Sequence, residues 1–292
     1  MSKRKFYFDA KWISLVFFLV LVLALLVNEL IKSPIDHSPE VTFTSKEQME
    51  LRFVNVGQGD CTILRTPSGK GILIDVGPEE KETEILNSIS AMGIKEIEYL
   101  ILTHPHSDHV SSVDKIIDAV KVNNIIHSDH DYSKILQKAS EKNILIEFCQ
   151  KNKPIEIDGV DIVFLTNGSE IPKDENGCIV TGIRYKETSF LLSSDSSEDY
   201  ENYLIKNKLS FDCDVLKVSH HGSSASSSEE FLNAFKPEIA VISVGENNSF
   251  GHPSKTVLER LEKTCGLILR TDLNGNIRIR SDGNNIKAFS EK

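Results

Sequence analysis

The sequence predicts a mixed α/β domain, sheets covered by helices, carried behind a single N-terminal membrane segment. Three observations predict it. Short apolar runs of strand length first follow one another across Gly-, Pro- and Asp-containing turns, then alternate with helical patterns, as hairpins followed by βα units do. The chain has 292 residues, 40% hydrophobic and 26% charged, which is enough for a sizeable core without covalent staples. A long apolar stretch near the N-terminus differs in composition from all that follows.

That stretch, Trp12 to Val27, is interrupted only by Ser14 and is preceded by Lys3, Arg4, Lys5 and Lys11. At about 1.5 Å per residue it is slightly short for a hydrocarbon core about 30 Å thick, a deficit that snorkelling lysines and bilayer thinning absorb. It ends Leu25-Leu-Val-Asn-Glu29 without a small-x-small cleavage site, so an uncleaved anchor is preferred to a signal peptide. Secretion after cleavage is the alternative. Basic residues on the N-terminal side place that end in the cytoplasm, which makes a single-pass cell-membrane protein with its folded domain outside. Residues 1–28 are read as cytoplasmic tail and anchor, residues 29–49, with Pro34 and Pro39, as a linker, and residues 50–289 as the folded domain.

Within the domain, Leu51–Val56, Cys61–Thr66 and Gly71–Asp75 read as consecutive strands joined by turns at Gly57–Asp60 and Pro67–Gly69. A helical pattern from Glu79 to Met92 stops at Gly93, and the apolar strand Ile97–Leu102 runs straight into a histidine-rich segment. Helix Ser111–Val120, strand Asn124–His127, helix Ser133–Asn143 and strand Ile144–Phe148 follow. Ile155–Leu165, Cys178–Tyr185 and Ser189–Ser193 read as single strands, the last two across a tight turn. Next come helix Ser197–Lys206, strand Asp214–Ser219 and helix Ser228–Phe235, which opens on the capping-box pattern Ser227-x-x-Glu230. Strand Ile239–Val244, helix Ser254–Thr264 and two further strands close the chain.

The formal net charge of −10 disfavours tight non-specific gripping of nucleic acid, which relies on basic side chains against phosphates. The five cysteines, Cys61, Cys149, Cys178, Cys213 and Cys265, form no Cys-x-x-Cys pair and are odd in number. They indicate neither a zinc knuckle nor a disulfide framework and are read as buried thiols.

The segment Thr103-His-Pro-His-Ser-Asp-His-Val110 packs three imidazoles and a carboxylate directly behind an apolar strand. Pro105 argues for a loop here. In an extended loop His104 and His106 point the same way and share one metal ion, while the following turn directs Asp108 and His109 to a second. A donor set of imidazole and carboxylate suits zinc, manganese or iron without choosing among them. The bland alternative is a solvated polar loop.

His-x-His-x-Asp-His behind such a strand resembles the metallo-β-lactamase fold superfamily. Further motifs, Phe53-Val-Asn-Val-Gly-Gln-Gly-Asp60, Thr66-Pro-Ser-Gly-Lys70, Leu73-Ile-Asp-Val-Gly77, Val218-Ser-His-His-Gly-Ser223, Val244-Gly-Glu-Asn-Asn248 and Gly251-His-Pro253, are similar to the soluble hydrolase domain of the ComEC competence proteins over residues 50 to 282. The pore-forming membrane domain of those proteins has no counterpart here, and one candidate membrane segment does not make a DNA channel. The resemblance implies an αββα sandwich with two divalent ions, zinc or manganese, at one edge between the sheets. It assigns His104 and His106 to the first ion, Asp108 and His109 to the second, and Asp195 to both, although Ser194 stands where the family usually has glycine. The pair His220-His221 supplies the remaining ligand, with His221 favoured. Asp75 is implied as the carboxylate that orients a ligand imidazole. Many relatives carry another histidine before the bridging aspartate. Here the stretch is Lys173-Asp-Glu-Asn-Gly177, so Asn176 or Asp174 would serve as a weak or water-mediated ligand and the first ion would be held less tightly. His127 and His130 are read as ordinary surface histidines, and His252 as a residue beside the cleft able to donate a proton.

The function so implied is a metal-dependent hydrolase in which a hydroxide between two cations attacks a phosphodiester, with Asp108 and His252 as catalytic residues. Its substrate would be a nucleic acid or a small molecule, such as a nucleotide or a lipid-linked phosphate. A carboxylic ester or lactone hydrolase is a second reading, and a non-catalytic, metal-stabilised surface binding module a third.

Overall fold

The computed structural model describes residues 35–36, 48–171, 177–209 and 213–292. The expected anchor and most of the expected linker lie outside the described residues, among which no helix is long and apolar enough to cross a membrane. The compact unit Asp36–Lys292 carries everything discussed below.

In chain order, the first half of this unit consists of β1 (Met49–Phe53), β2 (Thr62–Arg65), β3 (Gly71–Ile74), α1 (Glu82–Ala91), β4 (Glu96–Leu102), α2 (Ser107–Val110), α3 (Val113–Ala119), β5 (Lys121–His127), α4 (Ser133–Glu141) and β6 (Leu145–Phe148). Strands β1 to β3 are an antiparallel meander, and β3 to β6 run parallel. The second half comprises β7 (Ile155–Ile157), β8 (Val160–Phe164), β9 (Thr181–Tyr185), β10 (Thr188–Leu192), α5 (Glu198–Lys206), β11 (Val215–Lys217), α6 (Glu229–Phe235), β12 (Ile239–Ile242), α7 (Lys255–Thr264), β13 (Leu267–Arg270), α8 (Thr271–Asn274), β14 (Ile277–Ser281) and β15 (Ile286–Ser290). Here β7 to β10 are antiparallel and β10 to β13 parallel, while β14 returns to pair with β1 and β15 with β14 in the first sheet.

The central strands are apolar on both faces because each sheet is covered twice. Ile63, Leu73, Leu100 and Ile125 lie side by side across β2 to β5 and pack with Ile85, Ile89, Ile116 and Ala139 of the helices. The alternating residues Leu64, Ile72, Ile74 and Ile101 point the other way and are equally buried, which places them between the sheets. On the second sheet Leu191, Leu216 and Ala240 meet Leu204, Phe231, Phe235 and Val257, while Phe190, Val215 and Val241 face inward. Each such buried aliphatic side chain contributes about 1.5–3 kcal/mol. The layers are therefore helix, sheet, sheet, helix, as expected. The thiols of Cys61, Cys149, Cys178 and Cys213 are buried and form no disulfide among the described residues, and Cys265 is half-buried. Burial pushes the Cys149 thiol up to about 12, so it is inert.

Four expectations are corrected. Ile155–Leu165 is a hairpin, not one strand: Asp158 and Gly159 take positive φ of 54° and 75° and turn the chain between β7 and β8. The helix expected over Ser111–Val120 is present as α3, but a separate helical turn that was not expected, α2, precedes it inside the histidine motif. The cap of α6 is Ser228 rather than Ser227, its hydroxyl accepting from Phe231 N. Three strands, not two, follow α7, because the helical turn α8 separates β13 from β14.

The Ser227 position is instead held from outside. Glu201 on α5 is fully buried and accepts from the backbone N–H groups of Ser227 at 2.5 Å and Ser228 at 2.9 Å, fixing the approach to α6. Glu201→Ala leaves both donors unpaired and should lower stability by about 2–4 kcal/mol, with a smaller loss for Glu201→Gln, which keeps one acceptor oxygen. Thermal or urea unfolding of the variants measures this.

Candidate metal centre

The site is assembled where parallel strands end. Beyond β4 the chain stays extended through His106, at φ −65° and ψ 146°, and then turns into α2, where the N–H groups of His109 and Val110 bond back to His106 O at 3.0 and 3.1 Å. Pro105 thus rules out helix only before His106. Asp108 and His109 come from a helical turn, not from the loop that was expected. Strands β10 and β11 pair in parallel with Leu192 beside Lys217, which sets the turns Ser193–Asp195 and Ser219–Gly222 next to each other, joined by a bond from His220 N to Ser194 O of 3.0 Å. The loop before β2 closes from the first sheet: Asp60 N donates to Asp108 O at 3.1 Å, and a β-carbon at Gly59 would collide with that same carbonyl. Four positions here carry positive φ without being glycine, Asp75 (54°), Ser194 (50°), His220 (48°) and His221 (54°). Each such backbone costs on the order of 1 kcal/mol and persists because its surroundings over-determine it.

Two groups of side chains that include Asp195 result, besides a third of Asp75, His104 and His109. Asp108, His109, Asp195 and His221 offer atoms all within 4.8 Å of one another, as do His104, His106 and Asp195. Asp195 is common to both. It is 2% exposed, with Oδ1 3.4 Å from His109 Nε2 and Oδ2 3.8 Å from His104 Nε2 and 3.7 Å from His221 Nε2. His104 Nε2, His109 Nε2 and Asp195 Oδ1 are buried and have no hydrogen-bond partner. Orphaned, converging acceptors and imidazole nitrogens of this kind fit a cation.

The far side of each ring fixes its orientation. His109 Nδ1 bonds Asp75 Oδ2 at 2.7 Å. His221 Nδ1 donates to Ser243 O at 2.9 Å, which leaves its Nε2 lone pair facing Asp108 Oδ2 at 3.2 Å, a pairing that needs a proton or a cation between the atoms. His104 Nδ1 lies 3.1 Å from Thr103 Oγ1. The Thr103 hydroxyl gives its proton to Asp75 Oδ2 at 2.6 Å and accepts from Ser194 Oγ at 2.7 Å. Because that proton is committed, His104 must be the donor at Nδ1, and its Nε2 is left free toward the centre. Asp75, which also accepts from Thr103 N at 2.9 Å, therefore orients one ring of each group, His109 directly and His104 through Thr103.

The electrostatics follow. Burial alone would raise the Asp108 carboxyl, but the His221 hydrogen bond and nearby His109 lower it to about 2. Burial likewise works against charge on Asp195, and His109 and His221 outweigh it and hold that carboxyl well below the usual range. His104 is pushed well below the ordinary imidazole value by burial and by His109. His109 is pushed the same way by burial, but Asp195 and Asp75 dominate and raise it well above.

His220 belongs to neither group. Its Nε2 is 3.8 Å from Asp195 Oδ2 and its side chain is partly exposed. His252 lies alongside, its ring 5.8 Å from that of His220 and 6.4 Å from that of His221, with Nδ1 buried and unpartnered. Asn176 and Asp174 lie outside the described residues. His127 and His130 are half-buried and bonded to Ser128 O and Gly177 O, away from both groups. Sequence reasoning missed the roles of Thr103 and Ser194 and the buried ion pair of Asp60 with Lys217, whose ammonium also donates to Ser194 O at 3.2 Å. A lysine inside the apolar strand ending at Ser219 was the available signal for that pair.

Residues 54–246 match the family model of the metallo-beta-lactamase superfamily, and the chain belongs to that superfamily. Among curated proteins it is 30% identical over 264 residues to ComE operon protein 3 of Bacillus subtilis, covering 82% of this chain and 34% of that protein. It is 29% identical to Recombination protein 2 of Haemophilus influenzae, covering 80% and 29%, and 27% identical to competence protein ComA of Neisseria gonorrhoeae, covering 80% and 32%. The chain thus spans about a third of the length of these relatives, and its similarity to the hydrolase domain of competence proteins stands. Among solved structures, the metallo-beta-lactamase fold protein YhfI from Bacillus subtilis aligns with a TM-score of 0.58 at 11% identity over 80% of this chain and 100% of its own. A diphosphatase of the PhnP family aligns at 0.50 and 14% over 80% and 98%. At such identities both speak for the fold alone.

If Thr103 carries the orientation of His104, Thr103→Val should weaken divalent-metal binding by about 10- to 100-fold while Thr103→Ser retains it. Competition titration against a chromophoric chelator gives the affinities. The imidazole nitrogen shifts of His104 in the metal-free protein should show loss of the Nδ1-protonated form in Thr103→Val alone.

Proposed function

We propose that this protein is a phosphodiesterase working with two divalent cations, zinc or manganese. The observation that carries the reading is the sharing of Asp195 by two ligand groups, which is how a two-cation clamp for in-line phosphoryl displacement is built. His104, His106 and Asp195 would hold one ion, and Asp108, His109, His221 and Asp195 the other. Such ions make water acidic enough to supply hydroxide near neutral pH and stabilise charge developing on phosphoryl oxygens.

The chain's own residues have definite tasks. Asp75 and Thr103 hold the imidazole tautomers that leave Nε2 free at the centre. Asp108 presents a carboxylate that stays ionised through the neutral range and would help hold one ion and orient the attacking water. His252, beside His220 and His221 with an unpartnered Nδ1, would pass a proton to the leaving oxygen. The names of the relatives, competence and recombination proteins, support a phosphodiester over a carboxylic ester. Residues 1–28 would anchor the protein in the cell membrane with this domain outside, and the substrate would be a small or nucleic-acid phosphodiester met there.

Hydrolysis of bis(p-nitrophenyl) phosphate by the manganese- or zinc-loaded protein is the expected result. Asp108→Ala and His221→Ala should each reduce it by at least about 100-fold. Chelation should abolish the activity and added metal restore it. His109 and His221, both held above the ordinary imidazole value in the metal-free protein, must shed protons to bind a cation, so metal loading and activity should fall as pH drops and recover as it rises, the loss setting in above the ordinary imidazole value. A loaded protein that opens lactones and leaves phosphodiesters intact would overturn the reading.

A further inference from the structure

Beside the metal centre, one loop carries an apolar ring that the fold does not bury. Phe250 is 68% exposed, the most open of the large hydrophobic side chains among the described residues. An isolated surface phenylalanine needs no explanation. This one stands in a series of rings. Its face lies against His252, with centroids 5.7 Å apart and planes inclined by 24°. His252 in turn stacks toward His221, at 6.4 Å and 28°. The three near-parallel rings run from solvent to a member of the second ligand group.

The loop that presents Phe250 is held by Asn248. Its Nδ2 donates to Gly245 O at 3.0 Å and to His252 O at 2.6 Å, and its Oδ1 accepts from His252 N at 3.0 Å. Both ends of the segment between Gly245 and His252 are therefore tied to one side chain, with Phe250 between them. A loop tied in this way loses little further backbone freedom when a ligand covers its ring.

We infer that Phe250 is a stacking platform for a nucleobase, and that the substrate class is a base-bearing phosphodiester, a nucleotide or short single strand, which rests on the phosphodiesterase reading above. Base stacking on an aromatic ring needs no sequence preference and no positive field. That answers the charge of this chain: at −10 it is poorly suited to holding nucleic acid by its phosphates, so affinity must come from elsewhere. The series runs from Phe250 through His252 to His221, so a base on Phe250 would sit at the solvent end of a row of rings that leads to the second ligand group.

The test compares two oligomers of equal length and backbone, oligothymidylate and its abasic tetrahydrofuran analogue, with the manganese-loaded full chain. Phe250→Ala should raise KM for oligothymidylate by about 5- to 100-fold and leave cleavage of the abasic oligomer unchanged. Phe250→Trp should restore the wild-type KM. Equal effects on both oligomers, or none on either, would overturn the platform while leaving the phosphodiesterase reading intact. If the wild type cleaves neither oligomer nor bis(p-nitrophenyl) phosphate, the phosphodiesterase reading fails, and fluorescence anisotropy of labelled oligomers decides the platform by itself. Binding that favours oligothymidylate over the abasic strand and loses this preference in Phe250→Ala upholds it, and absence of that preference ends it.

Discussion

The carboxylate of Asp195 sits in the interior among the imidazoles of His104, His109 and His221, and a buried carboxylate is tolerated only when its charge is answered. Everything around it can be understood as that answer. Two parallel strands bring its turn beside the His220–His221 turn, the first sheet brings the histidine motif, and neither sheet alone supplies a complete ligand group. The packing of one sheet on the other is thus the same event as formation of the centre. Orphaned nitrogens and oxygens left facing each other show that the protein atoms alone do not satisfy it.

Behind the ligands lies a polar layer that keeps them from rearranging. Asp75 reaches His109 directly and His104 by way of Thr103, so one carboxylate governs a ring in each group. Ser194 adds its hydroxyl to the Thr103 oxygen, and this accounts for a serine where the related domains usually have glycine: its hydrogen bond offsets part of the cost of a positive φ. Lys217 and Asp60 complete the layer from opposite sheets. A cation buried beneath a centre that gathers several carboxylates lowers the cost of keeping them ionised before any metal arrives.

The acidic balance of the chain and the open ring of Phe250 belong together. A chain of this net charge gains little from a general positive field, and an aromatic face beside the ligand groups offers a phosphodiester a further hold. The ring and the ligands are joined through His252, which touches both.

Much of this was legible in the chain. The strand pattern, the two-sided burial and the His-Pro-His-Ser-Asp-His run depend on local periodicity and local donor chemistry, which a sequence carries openly. Misreadings arose where a local rule had a competitor. The Asp158-Gly159 turn was hidden inside an apolar run, and the start of α2 was masked by Pro105, whose restriction falls on residues before it. The choice of His221 over His220 for the ligand group, the proton committed by Thr103, and the pairing of Asp60 with Lys217 could be decided only by the tertiary structure. Each depends on residues from different sheets meeting within hydrogen-bonding distance, and such distances are set by how the layers pack, which no segment encodes by itself.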